Sequence, residues 1–137
     1  MSPFVAKANW DMLKITGGAA MVVTNITRNT VLANSCALAR TFFARLAGLQ
    51  FKSDLPRGHG LLITPCNSIH MFFMRFAIDA VFIDTNGAVV YIREGIKPWR
   101  VSKIVGSAKS VLELPAGTVS STGTAIGDKL KFTAVST

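Results

Sequence analysis

His70, Arg75 and Asp79 stand inside residues 68–84, a run that is otherwise almost wholly apolar. Ionisable groups in such surroundings must be paired, border a cleft, or destabilise the fold. Cys66 lies four residues before His70, and a thiol with an imidazole suggests a nucleophile and its general base. With Asp79 to orient the ring, His70, Asp79 and Cys66 form the candidate catalytic set of a hydrolase or lyase. The spacing weighs against a direct pair. On one strand the two side chains would share a face yet stand about 13 Å apart, whereas proton transfer needs about 3 Å. A turn between them is required, and Pro65 and Asn67 make one available. A cysteine buried for structural reasons is the simpler reading of Cys66.

Arg75 ends the first half of this run, where a guanidinium suits a carboxylate or phosphate through bidentate bonds. Trp99 and Arg100 follow Pro98 in a later loop, and a loop tryptophan beside an arginine is a common recognition element. The alternative for Trp99 is a plug at the open end of a barrel. Asp79 is expected to pair with Arg45 or Arg75, or to accept backbone N–H bonds. Arg45 falls on the apolar face of a helical pattern and calls for a carboxylate, so Arg45, Asp79 and Glu113 are expected as a structural ion-pair set. His59, Cys66 and His70 are ligand types for zinc, but their spacing matches no common zinc pattern and no fourth ligand suggests itself. No metal and no organic cofactor is expected.

Composition sets limits on the rest. The chain has 137 residues, half of them hydrophobic, and a mean hydropathy of +0.41. That is enough for one domain with a real core. The longest apolar runs are too short to span a bilayer, and no membrane association is expected. Fifteen Lys and Arg against seven Asp and Glu give a net charge of +8, which admits an acidic partner. The basic residues are scattered with no run of three, so nucleic acid is not an expected partner. Two cysteines without a C-x-x-C spacing fit a reducing, cytoplasmic compartment. No signal peptide is visible.

The elements that would position these residues are mostly short strands. Residues 1–20 differ from the rest and read as an appendage or linker, leaving 21–137 as a single domain. Strands are expected at 21–25, 30–33, 60–64, 68–74, 78–85, 88–94, 110–114 and 129–132. Asn86-Gly87, flanked by apolar runs, is the strongest hairpin signal. Asn34 or Ser35 can cap a helix running through Leu38, Thr41, Phe42, Arg45, Leu46 and Leu49, whose spacing defines one face. The loop at 115–123 has room for one helical turn. The sum is a mainly β fold, a compact jelly-roll-like sandwich or barrel with one packed helix near residues 36–48.

These residues carry a resemblance. Gly48-Leu49 after Thr41 and Arg45, Leu55-Pro56, Gly60-Leu61-Leu62 and Pro65-Cys66-Asn67-Ser68-Ile69-His70 come in order. Phe72 to Phe76, Ile78-Asp79, Phe82-Ile83-Asp84, Gly87, Pro98-Trp99-Arg100, the Val111 to Gly117 segment and Gly127-Asp128 follow. The chain resembles the domain-of-unknown-function 192 family over roughly residues 25–132. Met71 and Ala77 depart from it, standing where Thr and Pro are expected. The resemblance implies a small, mainly β fold of jelly-roll type, and no established activity comes with it.

The residues together point to a non-catalytic binding or accessory module. His70, Arg75, Asp79, Trp99 and Arg100 would line a concave, partly apolar pocket, and its ligand would be a small polar or anionic molecule or a peptide. The hydrolase or lyase is the second reading, and a basic interaction protein for an acidic partner is the third. The oligomeric state is left open.

Overall fold

The computed structural model describes residues 20–40, 45, 49 and 52–134. Seven strands form one sheet: β1 (Ala20–Asn25), β2 (Thr30–Ala39), β3 (His59–Ile63), β4 (Ile78–Ile83), β5 (Val89–Ile96), β6 (Ser110–Pro115) and β7 (Leu130–Ala134). One short helix, α1 (Thr118–Thr122), follows β6. The order across the sheet is β5-β4-β6-β3-β2-β1-β7. Only β2 and β3 among these pairs run parallel, in register from Ser35↔His59 to Ala39↔Ile63. The mainly β class expected from the residues is what the fold shows.

The sheet curls into a half-barrel. Its two outer strands approach each other at one end, where Ala88 and Lys129 form a bridge. Val89 N–H donates to Asp128 O and Leu130 N–H to Gly87 O, both at 2.8 Å. Gly87 sits at φ +83°, and a Cβ there would lie 2.8 Å from Leu130 O. The glycine of the Asn-Gly turn thus serves both the turn and the closure.

Strand periodicity divides the core into two layers. Val23, Leu62, Val81, Leu112 and Leu130 belong to one cluster. Leu61, Ile63, Ala80, Phe82 and Val111 belong to the other, which Ile69, Met71, Met74 and Val105 from two loops cover. All six residues of β4 are buried. At about 25 cal/mol per Å² of apolar surface, this two-sided burial is the main stabilising term.

Two expectations need correction. Cys36 does not open a helix, because Cys36–Ala39 is the buried end of β2, paired on one side with β1 and on the other with β3. Backbone pairing on both sides holds this segment in the sheet, and that tertiary pairing overrides the helical spacing. Arg45 is helical; residues 41–44 and 46–48 lie outside the described residues, as do residues 1–19 of the expected appendage. Residues 68–74 are not a strand either. They turn at Phe72-Phe73 and touch a neighbouring segment through one bridge, His70↔Val101. Their apolar residues cover the sheet instead of joining it.

Candidate functional site

The covering loops build the site. Residues 64–77 join β3 to β4, and residues 97–109 join β5 to β6. Backbone bonds zip them together: Met71 N–H donates to Arg100 O, and Trp99 N–H donates to Met71 O, both at 2.7 Å. Ser102 adds a further link, its N–H donating to Ile69 O at 2.9 Å and its Oγ accepting from Ile69 N–H at 2.9 Å. Met71 is wholly buried at this seam. A thioether suits a position that must fill an irregular gap under two loops.

Beside the seam lies a cleft of about 430 Å³, walled by Arg45, Pro65, Cys66, His70 and Lys109. Arg45 Nη1 donates to Pro65 O at 3.2 Å, while its Nε is buried without a partner. Cys66 Sγ donates to Ser68 O at 2.9 Å. Burial pushes this thiol above its ordinary pKa; the Ser68 bond and the Arg45 charge pull it back in part, and the Glu113 carboxylate opposes them. A raised pKa disfavours the thiolate that a nucleophile requires. His70 Nδ1 accepts from Phe72 N–H at 3.3 Å, which leaves Nε2 as the ring's donor.

Glu113 is 4% exposed, and its Oε1 has no hydrogen-bond partner. It stands in β6 opposite Leu61 and Ala80. Desolvation raises its pKa to about 8, so the group is largely a neutral acid at pH 7. Its charge, when present, is felt at Cys66, which places it near the cleft.

Asp79 takes a different role. Its Oδ1 accepts from Gly95 N–H at 2.8 Å, and its Oδ2 accepts from Gly117 N–H at 3.1 Å and Val119 N–H at 2.9 Å. These amides belong to β5 and to the turn into α1. The expected Arg45–Asp79–Glu113 ion-pair set is therefore not the arrangement found. Backbone amides satisfy Asp79 without a cation, and burial neutralises Glu113 instead of pairing it. Asp79 is held outside the cleft walls, so the three catalytic candidates do not meet as a set.

Trp99 does not plug the barrel. It is 59% exposed, and its ring lies 5.9 Å from Phe72 and 5.0 Å from Phe73 between centroids. His70 in turn lies 4.9 Å from Phe72, so His70 joins the cleft to an aromatic surface. Phe73 and Trp99 have φ values of +62° and +68°, a region that bulky residues adopt only under constraint from their surroundings. Arg75 and Arg100 are exposed on the same loops. Of the five ligand-binding candidates, His70 lines the cleft, Trp99 reaches it only through Phe72, Arg75 and Arg100 are exposed elsewhere on the covering loops, and Asp79 is apart.

Residue types alone missed Lys109, which walls the cleft from the residue before β6. They also missed Phe72 and Phe73 as surface residues. The one available signal was the Phe-Phe pair, since two adjacent rings cannot both face a sheet from an extended segment. His59 opens β3 at the end away from Ile63, the residue of that strand that reaches the cleft. Among the described residues no group of three His, Cys, Asp or Glu side chains is placed to hold a metal.

Comparison with known proteins agrees with this architecture. A protein of unknown function from Novosphingobium aromaticivorans superposes with a TM-score of 0.74 at 21% identity, covering 95% of this chain and 93% of that one. A UPF0127 protein of Pyrococcus horikoshii is 34% identical over 116 residues, 81% of this chain and 98% of the relative. A UPF0127 protein of Thermococcus sibiricus is 33% identical over 115 residues, 81% of this chain and 74% of the relative. Residues 22–132 match the DUF192 family, described as Uncharacterized ACR. The chain belongs to this domain-of-unknown-function 192 family.

Proposed function

We propose that this protein is a non-catalytic binding module whose cleft takes a small anionic ligand bearing a carboxylate or phosphate group. One observation carries the reading: the cleft has guanidinium, ammonium and imidazole groups on its walls and no acid among its described lining residues. Glu113, the acid nearby, is largely neutral at pH 7 and does not cancel that field. Arg45 brings its guanidinium to the cleft wall, and charge-assisted bonds from such a group are about twice as strong as neutral ones. A cleft of this size suits a small molecule. The raised thiol pKa of Cys66 and the backbone role of Asp79 favour binding over a hydrolase or lyase.

The two cysteines are free thiols, which supports a cytoplasmic setting. No helix among the described residues is long and apolar enough to cross a membrane.

Titration calorimetry of the intact protein at low salt tests the reading, with inorganic phosphate and citrate as probes. Saturable binding of either, weakened by roughly tenfold in Arg45→Gln and in Lys109→Gln, is the expected result. No heat from either probe, or equal heats for wild type and both variants, would overturn it.

A further inference from the structure

Among the described residues, eight large apolar side chains are exposed, and five of them (Phe72, Phe73, Trp99, Val101 and Ile104) belong to the two covering loops. Their exposures run from 42% for Phe72 to 73% for Ile104. Such residues scattered singly need no explanation, but a cluster does. The loops carry Arg75, Lys97, Arg100, Lys103 and Lys109, and neither 64–77 nor 97–109 contains an acidic residue. Arg75, Lys97, Arg100 and Lys103 are exposed, and Lys103 holds its ammonium over the Tyr91 ring at 4.4 Å. Exposed apolar tips and cations thus share the two covering loops, which ring contacts of Trp99 with Phe72 and Phe73 and the His70–Val101 bridge hold side by side.

The presentation of the tips is built in. Phe73 and Trp99 hold left-handed backbone conformations that cost energy for bulky residues and persist because the Met71 seam over-determines them. Relaxing the strain would abandon the outward placement of the rings. We infer that this surface docks the protein peripherally on an anionic lipid bilayer, with Phe72, Trp99, Val101 and Ile104 entering the interface and Arg75, Lys97 and Arg100 meeting the headgroups.

Three features favour a bilayer over other anionic partners. The tips mix aliphatic with aromatic side chains, and Val101 and Ile104 would have no role in stacking on nucleic-acid bases. The rings are tilted against one another by 35° and 62°, so they present edges more than a flat platform for successive bases. The side chains protrude, whereas peptide recognition needs a groove or a free strand edge. Indole and phenyl rings with flanking Lys and Arg suit the headgroup boundary, and each cation near an anionic surface adds attraction that salt screens.

Vesicle flotation with the full chain tests this. Phosphatidylcholine vesicles with about 30 mol % phosphatidylglycerol should carry the protein at low salt, and pure phosphatidylcholine should not. The Phe72→Ser/Trp99→Gly variant should lose binding by about tenfold or more, and Ile104→Ser by about threefold. Ile104 is exposed enough that its replacement leaves the fold intact, so it decides the matter if the double variant fails to fold. In a Trp10→Phe background, Trp99 emission should shift to the blue on anionic vesicles only. No flotation, equal flotation on neutral vesicles, or binding unchanged by Ile104→Ser would overturn the inference. So would binding to a single-stranded oligonucleotide in place of vesicles.

Discussion

The Asp79 carboxylate accepts the N–H of Val119 at 2.9 Å across 40 positions of sequence. The same oxygen takes Gly117, and the other takes Gly95. One side chain in a fully buried strand thereby satisfies amides of β5 and of the entry to α1. Replacing Asp79 by Ala leaves three N–H groups without their acceptor, a loss of about 3–5 kcal/mol. Asp79→Asn should cost less, since its carbonyl can still accept. Chemical denaturation of the two variants measures both, and a near-neutral Asp79→Ala would contradict the role assigned here.

Glu113 makes stability depend on pH. Its folded-state pKa rises from 4.5 to about 8 through desolvation. Below pH 4.5 the carboxyl is neutral in both states, and its favourable contribution is fully present. Between about 4.5 and 8 the unfolded chain releases a proton that the folded chain keeps, so stability falls as pH rises. Asp128 acts in the opposite sense. The Arg28 hydrogen bond holds its carboxyl below the usual range, so its contribution is present above the ordinary Asp pKa and is lost as pH falls. Glu113→Gln should flatten this slope between about pH 4.5 and 8 and gain on the order of 1–3 kcal/mol at about pH 9 relative to the native chain. Urea titrations across pH check the sign, and a wild-type curve rising from pH 5 to 8 would refute it.

Trp99 separates surface from scaffold. Glycine accepts its φ of +68° at no steric cost, so Trp99→Gly removes the ring and the strain together. The thermal midpoint should move by no more than a few degrees. Met71→Ala, in contrast, empties a buried site under both loops and should cost about 2–4 kcal/mol. Comparable losses in the two variants would make Trp99 a structural residue.

Much of this fold could be read in the chain. Asn86-Gly87 marked the β4–β5 hairpin, and alternation or continuous burial marked the strands it joins. The acceptance of backbone amides by Asp79 was one of the readings its apolar neighbours allowed. The β2 error has a definite cause. Leu38, Phe42, Arg45 and Leu49 recur at helical spacing, while the parallel pairing with β3, which lies well along the chain, extends the strand to Ala39. Residues 68–74 misled for a related reason: their apolar content is real, but it covers a sheet made elsewhere. Lys109 carried no signal, because its place at the cleft depends on how two loops fold over β3 and β6.

Lys109 is also the cleanest probe of the cleft. It is exposed at the end of its loop, and it forms no ion pair among the described residues. Lys109→Gln should leave the thermal midpoint unchanged and weaken phosphate binding by roughly tenfold. Raising the salt should weaken the native chain's binding in the same direction. Unchanged affinity in this variant would remove Lys109 from the site.

The most direct measurement is an amide NMR titration of the intact protein with inorganic phosphate at low salt. Saturable shifts confined to residues 64–70 and 108–110, with the Asp79-bound amides of Gly95, Gly117 and Val119 unmoved, are the predicted result. Shifts spread over scattered surface lysines, or none at all, would contradict a ligand site in the Arg45–His70–Lys109 cleft.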